Sequence, residues 1–102
     1  MEEFHYKKKR PDVNQYYEKE TLEAWNKFNE LAFKDGVLSR KTKELIAVAC
    51  AHITRCPYFI NNHARKALNS GATKKEIAEA LVIAAAMNAG ASFAHGFMAL
   101  EE

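Results

Sequence analysis

The sequence predicts an all-α domain of about five helices. Three observations carry this reading. Apolar residues recur at spacings of three and four along most of the chain. Helix-start signals stand at Asp12, Ser39, Pro57 and Thr73. No stretch shows the period-two alternation of a half-buried strand, and there is neither a low-complexity linker nor an internal repeat. At 102 residues the chain reads as a single domain, residues 1–102.

Residues 1–11 have mixed charge and no period, and are expected to be a loosely ordered N-terminal segment. Asp12 is read as the cap of a first helix. Its inward stripe is Val13, Tyr17, Thr21, Ala24, Trp25, Phe28, Leu31 and Ala32, and Gly36 suits a left-handed position beyond its end. The aromatic stripe fits core or subunit packing better than a flat ligand. Ser39 caps a second helix, through Leu45, Ile46, Val48, Ala49 and Ile53. Arg40, Lys41 and Lys43 crowd its first turn, where the helix dipole disfavours cations, which makes them a solvated face or candidates for anion or partner contacts. A break at Thr54–Cys56 precedes a third helix, Pro57 to Ser70, because Pro57 cannot continue a helix but suits the first turn of a new one. Gly71 is its stop. Thr73-Lys74-Lys75-Glu76 is a capping box that opens a fourth helix through Ile77, Ala80, Leu81, Ala84 and Met87. A break or kink is expected at Asn88–Gly90, followed by a short helix from Ala91 to Leu100.

A chain of this size buries only about 60–65% of the surface its unfolded form exposes. Yet 48% of the residues are hydrophobic, a surplus that fits an oligomer better than a self-sufficient monomer. The net charge of +2 is too small to indicate a nucleic-acid partner, and the run Lys7-Lys8-Lys9-Arg10 reads as a solvated tail. No apolar leader follows Met1. No stretch reads as apolar enough to span a membrane, since Ile77 to Met98 is interrupted by Glu79, Asn88 and His95. A soluble, cytoplasmic protein is expected, with two cysteines that do not form a secreted disulfide framework.

The chemistry is concentrated between Glu44 and His63, which hold a carboxylate, two thiols and two imidazoles. Cys56 directly precedes Pro57 at a helix start. The free N–H groups and the dipole there favour an anion, so a thiol at such a position can have its pKa lowered from about 8.5 to about 3.5–7.5. Arg55 adds positive charge. The alternative is a small buried filler. His63 is seven residues on, two helical turns, on the face of Cys56 and one turn from Phe59. Packing of the second and third helices could join Glu44 to His63 as a base oriented by a carboxylate or a proton relay, or as a purely structural pair. Cys50 lies six residues before Cys56, about 9 Å along an uninterrupted helix and beyond disulfide reach, so it reads as a core residue. His52 sits near the break and His95 before Gly96, each able to approach the site or serve in packing. The His and Cys spacings match no compact zinc motif, so no metal and no cofactor are expected.

The ordered string Glu44-Leu-Ile-Ala-Val-Ala, His52-Ile-Thr-Arg-Cys56-Pro-Tyr58-Phe59-Ile, His63, Ala67, Gly71-Ala-Thr-Lys-Lys-Glu76-Ile and Ala89-Gly90-Ala91 resembles the carboxymuconolactone decarboxylase/alkylhydroperoxidase D (AhpD)-like family. The resemblance runs from about Leu38 to His95. It implies a helical fold assembled as a trimer or hexamer, with sites near subunit contacts. In the peroxidase branch a glutamate precedes Cys-x-x-Cys and a histidine four residues beyond it. By that pattern Glu44, Cys56 and His63 match, and the second cysteine, the one expected to attack peroxide, falls on Phe59. The decarboxylase branch tends to carry a glutamate there, which Phe59 also lacks.

The resemblance therefore implies catalytic Glu44, Cys56 and His63, with His52, Tyr58, Phe59 and His95 as pocket or supporting residues. Three functional readings follow. The first is a peroxiredoxin-like, antioxidant oxidoreductase in which Cys56 reduces an organic hydroperoxide and an external thiol protein, or Cys50, resolves it. The second is an enzyme acting on a small organic acid or lactone through Glu44 and His63. The third is a non-catalytic oligomeric binding protein.

Overall fold

The computed structural model describes residues 12–101, which form helices and turns with no strand among the described residues. The expected disorder of residues 1–11 and the basic run at Lys7–Arg10 lie outside the described residues. Asp12 does cap, but it caps a short 3-10 turn, Val13–Tyr16, by accepting the Asn14 N–H at 3.0 Å. The long first helix, α1, begins later and spans Lys19–Phe33. Val13, Tyr16 and Tyr17 are poor helix formers, and Tyr17 is extended. Gly36 does not take the expected left-handed conformation, because α1 ends through an extended Lys34. The carbonyl of Lys34 instead accepts from Lys43 Nζ at 2.7 Å.

Helix α2, Arg40–Thr54, starts as expected at Ser39, whose Oγ accepts the Thr42 N–H at 3.1 Å. Asp35 Oδ1 accepts the Arg40 N–H at 2.7 Å and satisfies a second free donor of the first turn. The buried stripe of α2 is Glu44, Val48 and Ala51, one helical face. The helix ends at Arg55, in the left-handed region at φ 58° and ψ 46°. The Cys56 N–H closes back on the Ala51 carbonyl at 3.1 Å, a Schellman-type stop. Helix α3 follows at once, Pro57–Asn69, with Pro57 in its first turn. Gly71 ends the linkage with φ +98°.

Thr73 and Glu76 form the capping box of α4, Lys74–Ala94: Glu76 N–H to Thr73 Oγ1 at 3.1 Å and Thr73 N–H to Glu76 Oε1 at 2.8 Å. The break expected at Asn88–Gly90 is absent. The helix runs through to Ala94 and breaks at His95–Gly96 before a single turn, α5, Phe97–Leu100. A mid-helix glycine costs about 1 kcal/mol, too little to stop a helix of flanking alanines.

Helix α2 is the centre of the packing and contacts both α3 and α4, whereas α1 touches it only lightly. The core is Val48, Ala67 and Ala72, flanked by Leu45, Ala64, Ile77 and Leu81. It is small, and the radius of gyration of 17.1 Å exceeds the ~13 Å of a compact domain of this length. The aromatic stripe of α1 is not a core within the chain, because no α1 residue is buried. On α4 and α5, Phe93 is 91% and Leu100 85% exposed. By length and composition Lys74–Leu100 is apolar enough to cross a membrane, with a mean hydropathy of 1.5 over its most apolar 18 residues, which corrects the expectation that no stretch qualifies. Glu79, Asn88 and His95 are too few to offset the surrounding Ala, Ile, Leu, Val and Met. A helix apolar all round is equally the composition of one buried between packed subunits.

The start of α4 is tied to α2 by Lys41 Nζ and Glu76 Oε2 at 2.9 Å. The Lys41 ammonium, followed by the Thr73 backbone N–H, holds the Glu76 carboxyl below its usual value of 4.5. The stabilisation is therefore complete at neutral pH and is lost as the pH falls through the acid range below 4.5. Replacing Thr73 with Ala should cost about 1 kcal/mol, and Glu76→Gln should flatten the acid limb of the stability curve. Denaturant melts of both variants from pH 7 to 3 check these outcomes.

Candidate active site

Glu44 occupies a core position on α2 and is fully buried, at 0% exposure. A lone carboxylate there would cost several kcal/mol. His63, on the buried face of α3 and 9% exposed, answers it: its Nδ1 and Glu44 Oε1 are 2.7 Å apart. A carboxylate only accepts, so Nδ1–H donates, and in the neutral ring Nε2 is left as the acceptor nitrogen. The second carboxylate oxygen, Oε2, has no hydrogen-bond partner among the described residues and lies 3.8 Å from Arg40 Nη2, whose side chain is half exposed.

Two aromatic rings hold the imidazole in place. Phe33, from the end of α1, stacks on it at 5.1 Å between centroids and 16° between planes. Phe59, one turn earlier on α3, meets it edge-on at 5.7 Å and 60°. Beside this pair lies an open cavity of about 840 Å³ between α1, α2 and α3. Its apolar walls include Trp25, Phe33, Ile46 and Phe59. Cys50, Cys56, Tyr58 and His63 also line it, with Lys43, Lys66, Asn29 and Asn62.

The structure thus places Cys56, Tyr58, Phe59 and His63 around one cavity, with Glu44 buried behind His63. It does not bring His52 or His95 there. The Nδ1–H of His52 donates to the Val48 carbonyl and that of His95 to the Ala91 carbonyl, each at 2.9 Å within its own helix. The expected core role of Cys50 also fails: the residue is exposed on the cavity. Both cysteines are free. The basic first turn of α2 is engaged internally, Lys41 with Glu76 and Lys43 with Lys34. Among the described residues no three His, Cys, Asp or Glu side chains gather into a metal-binding group.

Phe33 and Asn29 were missed by the sequence reading. With Trp25 they form a four-residue repeat along α1, adjacent to the stripe that the apolar spacing picked out.

The profile of the carboxymuconolactone decarboxylase family matches residues 19–102. An uncharacterised protein of the cox locus of Paracoccus denitrificans is 46% identical over 78 residues, 76% of this chain and 70% of that one. A crystal structure of a Methanobacterium thermoautotrophicum protein superposes with a TM-score of 0.77 at 32% identity, covering 84% of this chain and 99% of that chain. A carboxymuconolactone decarboxylase family protein of Thermotoga maritima, with a possible part in antioxidative response, gives a TM-score of 0.63 at 29% identity, over 67% and 70% of the two chains.

Removing one member of a buried pair strands the other. Glu44→Ala should therefore destabilise the fold by about 3–5 kcal/mol. Glu44→Gln keeps an acceptor for Nδ1–H and should cost less. Chemical denaturation of the two variants gives the comparison.

Proposed function

The chain belongs to the carboxymuconolactone decarboxylase family, and from that membership we propose that it is a thiol-dependent peroxidase in which Cys56 is the reacting thiol and Glu44 and His63 move the proton. The observation that carries this reading is the buried 2.7 Å Glu44–His63 bond, whose imidazole lines the same cavity as Cys56. Cys56 is the N-cap residue of α3, with its side chain free of any capping hydrogen bond. Its sulfur is therefore not committed to the helix it precedes.

In the proposed step the Cys56 sulfur attacks the terminal oxygen of an organic hydroperoxide. The S–O bond forms as the O–O bond breaks, leaving a sulfenic acid and an alcohol. His63 Nε2 takes the thiol proton and returns it to the departing alkoxide, while the Glu44 carboxylate holds the ring and stabilises its charged form. The apolar walls favour an alkyl or aryl hydroperoxide. Regeneration falls to a thiol reductant, which suits a reducing cytoplasm and two free cysteines. The exposed faces of α1 and α4 support a homo-oligomer, a trimer or hexamer, as the working form. The antioxidative association of the Thermotoga maritima relative points the same way.

A second reading has its own support. Lys43 and Lys66 beside apolar walls suit the carboxylate of a small organic acid or lactone, on which Glu44 and His63 would act without a thiol. A non-catalytic binding role would use the same cavity and show no turnover.

Consumption of cumene hydroperoxide by the reduced protein separates these. The native chain should be active and Cys56→Ser inactive. His63→Ala should be slower by about a hundredfold or more. Silence in the native chain with activity in Phe59→Cys would refute Cys56 as a sufficient peroxidatic thiol and direct the search to small acids.

A further inference from the structure

The proposed reaction leaves a sulfenic acid that must be resolved, and Phe59 cannot do it. The chain has only one other sulfur nucleophile, Cys50. We propose that Cys50 is the resolving thiol and that the resting oxidised form carries an intramolecular Cys50–Cys56 disulfide. This inference rests on the peroxidase reading of Cys56.

The geometry comes from the end of α2. Arg55 is the left-handed residue of the stop, and the Cys56 N–H returns to the Ala51 carbonyl at 3.1 Å. In this motif the residue that makes the returning bond packs its side chain over the residues three and four places before the helix end. Counted back from Thr54, the last residue of α2, those are Ala51 and Cys50. The reversal thus turns Cys56 back over the last turns of α2, where a continuing helix would carry it about 9 Å further along the axis. Both cysteines line the same cavity, and both are free. Cys50 is exposed there, with no packing role to hold its sulfur. Since Cys56 lies outside both helices, in a two-residue link, its sulfur can move toward Cys50 without distorting either.

The chemistry balances with an organic hydroperoxide as oxidant and a dithiol as reductant. Cys56 takes one oxygen from the hydroperoxide and releases the alcohol. The Cys50 sulfur then attacks the Cys56 sulfur. The S–S bond forms, the S–O bond breaks, and the hydroxide leaves as water with the Cys50 proton. The external dithiol reduces the disulfide, its own two sulfurs becoming oxidised. The site then works with a pair spaced by five intervening residues across a helix end, in place of a pair within one helical turn.

The test treats the reduced full-length protein with one equivalent of cumene hydroperoxide, followed by dimedone and an alkylating agent, and maps the peptides by mass. The native chain should lose both alkylatable thiols together and yield a peptide linking Cys50 to Cys56 within one chain. Cys50→Ser should stop at a dimedone-trapped Cys56 with no internal disulfide. Because Cys50 is exposed, that variant should keep the native helical circular dichroism. A native chain that accumulates dimedone-trapped Cys56 while Cys50 remains alkylatable overturns the proposal and leaves the peroxidase reading standing. So does a disulfide found only between chains. If Cys56 is unmodified in both proteins, the peroxidase reading fails and the resolving role fails with it.

Discussion

A carboxylate with no exposed surface sits at the centre of this small helical core, and the packing around it follows from that burial. Glu44 shares its helix face with Val48 and Ala51, where an apolar side chain would ordinarily stand. Arg40 offsets part of its charge, but at 3.8 Å and half in solvent the guanidinium is a weak counterion. The short bond to His63 is the strong term, because hydrogen bonds to an ionised group gain most where water is excluded. That bond requires α2 and α3 to approach closely, and the small side chains of Ala51 and Ala67 at their buried faces permit it. Phe33 and Phe59 then cover the imidazole, which keeps water from competing for the pair. The same contacts that hold the helices together thus orient a ring toward the cavity.

The second constraint is Pro57. A residue before proline is driven out of the helical region, and Cys56 is accordingly extended, at φ −101° and ψ 100°. With Cys56 extended and α2 complete at Thr54, the direction change falls on Arg55. A side-chain-bearing residue in the left-handed region costs of order 1–3 kcal/mol, and the closing bond from Cys56 N–H to Ala51 helps to offset it. One proline therefore starts α3, places Cys56 at its N-cap, and turns the chain so that Cys50 and Cys56 face one space.

Features governed by short-range rules were legible in the sequence. Ser39 and the Thr73–Glu76 box act through bonds to neighbours within three residues, and Pro57 and Gly71 through their own backbone angles, so the local sequence predicts them directly. The Glu44–His63 pair was also legible, since helical spacing and the family resemblance place both on facing stripes. Asn88–Gly90 misled because a breaker residue breaks only where the flanking chain allows it, and the α4 alanines do not; Gly36 misled because α1 had already ended through the extended Lys34. His52 and His95 were left open between site and packing for another reason. A histidine near a helix end looks the same in sequence whether its ring faces a site or bonds the carbonyl one turn back, as both do here. Phe33 and Asn29 lay beyond reach because the face of α1 that meets the cavity is chosen by tertiary packing, not by the stripe's apolarity.

The weakest part of the single chain is also part of its cavity. Trp25, Asn29, Ala32 and Phe33 form a wall of the site on α1, yet α1 buries none of its own residues and only grazes α2. Within one chain, the stacking of Phe33 on His63 ties this wall to the Glu44–His63 pair. Trp25 and Phe28 remain more than half exposed, as do Val82, Ile83 and Met87 on α4. Apolar surface of that extent, on a chain more extended than a compact domain of its length, is unfavourable in water. An assembly that covers these faces would relieve it and would also pin α1 against the cavity. On the proposed reading, the shape of the substrate site is then a property of the oligomer, and its chemistry a property of the α2–α3 hairpin.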